Sequence, residues 1–160
     1  MKKSFTLILL AVFALVSCKG VYEDGAEMAI DLKSKVKQIS ADTLHKRVDN
    51  GESLFIIDIR SEDEYLTETI PGAYSIPKGI LEFSIGSEEF WAEQFNYPPE
   101  KDTEIIIISS NGDMGVLSAV ALTKLGYKNI INLDGGFKAY NPNQDPNAAP
   151  KTGGGCGGQI

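Results

Sequence analysis

Two kinds of apolar pattern alternate along the chain. Runs rich in β-branched residues at 54–59 and 104–109 have almost no polar interruption, which is typical of strands buried on both faces. Amphipathic or alanine-rich stretches between them predict helices of 8–12 residues. The predicted strands are 36–39, 54–59, 74–76, 104–109 and 129–133, and the predicted helices are 41–49, 61–67, 88–95 and 114–125. Such alternation predicts an α/β fold, with a parallel sheet of about five strands and helices on both faces.

The N-terminus has the pattern of an export signal. Lys2 and Lys3 precede an apolar run at 5–16, which is too short to span a membrane. The run ends in Leu-Val-Ser-Cys at 15–18, which resembles a bacterial lipoprotein lipobox. That resemblance implies removal of a signal peptide at 1–17 and lipidation of Cys18. An ordinary signal peptide with an incidental cysteine is the alternative.

This pattern gives the domain organisation and a location. Residues 18–35 are polar and of mixed charge, and they predict a lipid-anchored tether. Residues 36–140 form the predicted domain, and the Pro/Asn/Gly-rich residues 141–160 predict a flexible tail. The expected location is a bacterial cell envelope, with the protein lipid-anchored and facing the periplasm or the outer surface.

Composition excludes several classes of function. The net charge is −7, and the lysines of the first twenty residues have no acidic partner there, so the rest of the chain is more acidic still. An acidic domain argues against nucleic-acid binding, which normally requires a basic face. One histidine (His45) and two distant cysteines (Cys18 and Cys156) give no zinc-ligand spacing, so neither a metal nor a cofactor is expected.

Two motifs resemble the signatures of rhodanese domains. The first is Asp58-Ile-Arg60, followed by Glu64-Tyr65 and by Ile-Pro-Gly-Ala at 70–73. The second is Leu-Gly-Tyr at 125–127 with Leu-Asp-Gly-Gly at 133–136. Together they cover about 36–140 in one register, and the resemblance implies the rhodanese-like fold.

The same resemblance identifies an anion-binding loop that lacks its nucleophile. In active rhodaneses the loop after the fourth strand begins with a cysteine that carries sulfane sulfur, cradled by backbone N–H groups. The similar segment here is Ser109, Ser110, Asn111, Gly112, Asp113, Met114 and Gly115. Ser109 stands at the position of the cysteine, and Met114 at that of a common arginine. An ordinary turn with an N-cap at Asp113 is the alternative interpretation of this loop.

The tail contains the second cysteine of the chain. Cys156 is flanked by glycines at 153–155 and 157–158, a pattern similar to the C-terminal arm of the sulfur-carrier subunit in bacterial thiosulfate oxidation. Glycines on both sides give the backbone the freedom to thread a narrow partner site. A flexible coil from residue 140 to residue 156 would span about 20–24 Å. A low-complexity terminus and a dimer-forming disulfide are the alternatives.

These features favour one function and leave two others open. The first is a membrane-anchored rhodanese-like protein that carries sulfane sulfur or a redox thiol on Cys156, with a sulfur donor or acceptor protein as partner. The second is a catalytically inactive interaction or anion-binding module. A conventional thiosulfate sulfurtransferase is third, because Ser109 replaces the nucleophile.

Overall fold

The computed structural model describes residues 20–145 and 148–149. The five strands are β1 (Lys37–Ile39), β2 (Phe55–Asp58), β3 (Tyr74–Ser75), β4 (Glu104–Ile108) and β5 (Asn129–Leu133). The seven helices are α1 (Gly25–Lys33), α2 (Ala41–Asp49), α3 (Glu62–Thr67), α4 (Leu81–Ser84), α5 (Glu88–Glu93), α6 (Asp113–Lys124) and α7 (Gly136–Tyr140). None of the described helices is both long and apolar enough to cross a membrane.

All five strands form one parallel sheet in the order β1-β5-β4-β2-β3. Each strand is short, so the sheet depends on the apolar faces of the flanking helices for its burial. The predicted five-stranded parallel sheet with helices on both faces is confirmed. The strand bounds at 129–133 agree with the prediction, and each of the others differs by one residue at one or both ends.

The isoleucine runs of β2 and β4 divide the core into two layers. Successive side chains of a strand point to opposite faces of the sheet. Ile57, Ile105 and Ile107 pack with residues of α4, α5 and α6, among them the fully buried Trp91. Ile56, Ile106 and Ile108 pack on the other face with residues of α2 and α7. One uninterrupted apolar run therefore serves both layers.

The segment predicted as a tether contains a helix. Asp24 caps α1 by accepting the N–H of Glu27, and Ala29 and Leu32 are buried against α6 beside Val116. The tether prediction for 18–35 is therefore wrong for residues 25–33. The apolar face of α1 is only a few residues wide and becomes buried only when the helix packs on α6. The polar composition of the segment therefore concealed this face.

The predicted tail also begins differently. The side-chain amide of Asn141 donates to both carboxylate oxygens of Glu68, at 2.8 and 2.9 Å. The first residue assigned to the tail is thus attached to the domain. Cys18 and Cys156, the predicted lipidation site and the predicted working thiol, lie outside the described residues.

Candidate functional site

The loop segment from Ser109 to Gly115 runs from the carboxyl end of β4 into the first turn of α6. In open parallel sheets, ligands bind at this edge because the connecting loops meet there. Gly112 caps α6 with φ of +95°, in the left-handed region that favours glycine. The alternative interpretation of the loop as a turn placed the N-cap at Asp113, which is wrong by one residue because Asp113 is already the first residue of the helix.

Ser109 is turned into this loop rather than out of it. Its side chain is 1% exposed, and its Oγ accepts the backbone N–H of Gly112 at 3.0 Å and of Gly115 at 3.2 Å. Two of the N–H groups that an anion cradle would offer thus point at a hydroxyl of the protein itself. A third, that of Asp113, donates to Oδ1 of Asn111.

No described residue activates the Ser109 hydroxyl as a general base would. Nε2 of His45, on α2, lies 2.9 Å from the carbonyl oxygen of Tyr140, and the two rings stack with centroids 3.8 Å apart. His45 is therefore engaged in holding α7 against α2. The geometry gives Ser109 the role of organising the loop.

The glycine pair after β5 closes the inner side of the loop. Gly135 and Gly136 have φ of +71° and +62°. A methyl group at Gly136 would lie 2.3 Å from the carbonyl oxygen of Ser109 and 2.7 Å from the N–H of Asn111. The N–H of Phe137 donates to that same carbonyl oxygen at 2.8 Å. Only glycine permits α7 to approach the loop this closely.

A buried ion pair supports the loop from β2. Asp58 is fully buried and Arg60 is 4% exposed, and they form a two-pronged pair with Nη2 to Oδ2 at 2.7 Å. The Arg60 guanidinium also donates to the carbonyl oxygen of Glu68 and stacks on the ring of Phe137 at 3.8 Å. Thr69 donates to Asp58 at 2.8 Å. The D-x-R motif therefore fixes the wall of the site.

Glu64 links the loop to α3. Its carboxylate accepts from Ser61 in a capping box and from Oγ of Ser110 at 2.9 Å. Partial burial of Glu64 tends to raise its pKa, but the hydrogen bonds from Ser61 and Ser110 and the charge of Arg60 outweigh that effect. The pKa of Glu64 is therefore held below its ordinary value.

A cavity of about 450 Å³ opens beside this loop. Its walls include Arg60, Ser110, Asn111, Phe137 and Lys138. Its volume falls within the range of about 300–1,000 Å³ that is usual for small-ligand pockets. Lys138, the buried and paired Arg60 and the carboxylate of Glu64 thus share one concave surface with the exposed part of the loop.

Sequence reasoning identified part of this arrangement. The loop, Asp58, Arg60 and Glu64 stand in motifs recognised in the sequence, and the structure brings them to one end of the sheet. Lys138 and Asn132 were missed. The amide of Asn132 is buried with Oδ1 unpaired in the described structure, against Gly115, where a methyl group would lie 1.9 Å from that oxygen. No local pattern could have indicated that approach.

The sequence profile of the Rhodanese-like domain family matches residues 40–143. The chain belongs to this family. Among its relatives is a candidate sulfur carrier protein of Bacillus subtilis, YrkF, with 32% identity over 116 residues, 72% of this chain and 57% of the relative. A candidate mitochondrial thiosulfate sulfurtransferase of Schizosaccharomyces pombe is 31% identical over 96 residues, 59% of this chain and 68% of the relative. This chain therefore spans little more than half of the Bacillus protein and about two thirds of the yeast one.

A solved structure agrees with this assignment. The human single-domain sulfurtransferase TSTD1 superposes with a TM-score of 0.60 at 25% identity, over 69% of this chain and 99% of the human one. The rhodanese-like fold inferred from the two sequence motifs is thereby confirmed. The α1 helix precedes the residues that the family profile matches.

Proposed function

We propose that this protein handles sulfur at the envelope of a bacterial cell. In this proposal Cys18 anchors the chain through lipid, and Cys156 carries sulfane sulfur or acts as a redox thiol. Membership of the rhodanese-like family supports the sulfur chemistry, as do relatives named as a sulfur carrier and as sulfurtransferases. A sulfur donor or acceptor protein is the proposed partner.

The observation that carries the proposal is the bonding of Ser109. A hydroxyl cannot hold a sulfane sulfur as a thiol does, and this one is buried and accepts two backbone N–H groups. The chain has only two cysteines, and lipidation would consume Cys18. Cys156 is then the remaining thiol, on a stretch whose glycines suit entry into a partner site.

The proposed step needs no oxidant. The Cys156 thiolate attacks the outer sulfur of thiosulfate, and a new sulfur–sulfur bond forms while that of thiosulfate breaks. Sulfite leaves with the bonding electron pair, and Cys156 becomes a persulfide. A thiolate of the acceptor then takes the outer sulfur in the same way and regenerates the Cys156 thiolate.

Intact-protein mass spectrometry after exposure to thiosulfate or polysulfide tests this step. The wild-type chain should gain the mass of one sulfur atom, localised to Cys156, and Cys156→Ser should gain none. Ser53→Ala, at an exposed residue of the connection before β2, is the matched control and should react as the wild type does. Sulfur on the Cys156→Ser chain, or none on the wild type, would refute the assignment.

The anchor has its own test. The wild-type protein made in bacteria should partition into detergent, and Cys18→Ala should abolish this partition while Cys156→Ser retains it. A mature protein that stays in the aqueous phase with a free amine at residue 18 would remove the lipid anchor. It would leave the sulfur chemistry of Cys156 untouched.

An anion-binding module is the second candidate, because Arg60 and Lys138 line the cavity beside the loop. Thiosulfate binding by the Cys156→Ser chain, seen as shifts at Ser110 and Lys138 and without transfer by the wild type, would favour it. The third candidate, a conventional sulfurtransferase, predicts cyanide-dependent turnover by that same variant. Ser109→Cys with Met114→Arg should gain such turnover if the loop can cradle a persulfide.

A further inference from the structure

A second cavity lies at the opposite end of the strands from the loop at 109–115. It has a volume of about 390 Å³ and opens where the ends of α1 and α6 meet the beginnings of β1 and β5. Its apolar wall consists of Leu32, Val36, Ala119, Val120 and Ile130. Because the strands are parallel, their amino ends all lie at this end of the sheet, whereas the loop at 109–115 follows the carboxyl end of β4.

Four lysines surround this apolar wall, and no acidic residue lines it. They are Lys35, Lys37, Lys124 and Lys128. All four are exposed, and within the described ranges none of them forms an ion pair or a side-chain hydrogen bond. A chain of net charge −7 thus places four lysines without an ion-pair partner around one cavity.

The position of these lysines is only partly explained by the fold. Lys124 ends α6, where the helix dipole favours a cation. The other three lie in the connections 34–36 and 125–128 or at the first residue of β1, where no helix end requires them. Mutual repulsion among exposed like charges costs free energy unless an anion offsets it. The arrangement is complementary to a negative charge held above an apolar surface.

The cavity exists because α1 is docked on α6. Leu32 of α1 forms part of the wall, and α1 lies outside the residues that match the family profile. The site therefore needs the added N-terminal segment to complete a wall that residues 119–130 of the shared rhodanese-like core begin. Nothing in the proposed sulfur chemistry uses it.

We propose that this cavity binds a medium-chain fatty-acid anion. The acyl chain would lie along Leu32, Val120 and Ile130, and the carboxylate would be held by the surrounding lysines. A volume of about 390 Å³ suits such a chain, since it falls within the range of about 300–1,000 Å³ that is usual for small-ligand pockets. A flat anionic membrane would neutralise the charge of the lysines but could not enter the cavity and cover its apolar wall. A free amphiphile fits both the lysines and the apolar wall.

Decanoate titrated into the full-length chain in nanodiscs of zwitterionic lipid tests the proposal. Methyl resonances of Leu32, Val36 and Ile130 should shift with saturation. Lys128→Gln should weaken the affinity roughly two- to fivefold, as expected for one exposed charge pair. Lys46→Gln, on α2 at the other face of the sheet, is the matched control and should leave the affinity unchanged.

A second variant separates cavity binding from partition into the lipid. Thr123 is exposed and lines the cavity, so Thr123→Trp should fill it and abolish the shifts without lowering the melting temperature. The proposal is overturned if decanol binds as tightly as decanoate, because the lysines then contribute nothing. It is equally overturned if Thr123→Trp still binds decanoate. The same holds if the four lysines bind only vesicles of anionic lipid and not decanoate.

Discussion

Replacing Ser109 by alanine tests whether its hydroxyl organises the loop. The substitution removes the acceptor of the N–H groups of Gly112 and Gly115, both of which are buried. Each orphaned buried donor costs about 1–3 kcal/mol, so Ser109→Ala should lower the free energy of unfolding by about 2–6 kcal/mol. Ser109→Cys should lose less, because a thiol is a weak acceptor but still an acceptor.

Urea unfolding of the full-length chain measures this loss, and amide hydrogen exchange locates it. In Ser109→Ala, exchange should accelerate at residues 112 and 115 more than at the centre of β4. Ser110→Ala is the matched control, since it removes an exposed bond to Glu64 and should change stability by about 0.5 kcal/mol or less. A Ser109→Ala chain within about 0.5 kcal/mol of the wild type, with unchanged exchange, would refute this role of the hydroxyl.

Three further predictions concern the elements around the site. Asp58→Ala should destabilise the protein by about 3–5 kcal/mol in urea unfolding, because it leaves Arg60 buried without its partner. Leu32→Ala should cost about 2–3 kcal/mol and expose α1 to proteolysis, since Leu32 is 9% exposed against α6. Glu64→Gln should destabilise at neutral pH, and the difference from the wild type should shrink as the pH falls below about 4.5. The lowered pKa of Glu64 means that its contribution is present above that pH and is lost as the carboxylate becomes protonated.

Each of these predictions has a matched control on the surface. Asp134→Ala breaks a half-exposed pair with Lys33 and should cost less than about 1 kcal/mol. Ile30→Ala, on the exposed side of α1, should change stability by less than about 0.5 kcal/mol. Glu62→Gln, exposed on the same helix as Glu64, should change stability by less than about 0.5 kcal/mol at neutral pH. If a control matches its test variant, the contact named for that variant does not carry the effect.

The sequence alone determined the elements whose signal is local. The unbroken isoleucine run of β4 requires burial on both faces, and Ser40 and Ser61 cap their helices as their side chains allow. The two motifs identified the family, and they indicated the loop at 109–115. Such signals survive in sequence because periodicity, capping and turn chemistry act over fewer than ten residues.

The tertiary structure decided everything that depends on distant partners. The few apolar residues of α1 can be buried only by packing on α6, which lies about 90 residues further along the chain. The two short helices α4 and α7 form only where the sheet covers Leu81 and Phe137. Helices this short have little intrinsic stability, so their positions are set by packing rather than by propensity.

The candidate site divides in the same way. The sequence showed that Ser109 stands in the loop, but only the fold shows that its Oγ takes the N–H groups of Gly112 and Gly115. It also shows Gly136 pressed against the loop and His45 bound to the carbonyl oxygen of Tyr140. Hydrogen-bond direction and close backbone approach are properties of three-dimensional packing, and a single sequence records only the residue types that permit them.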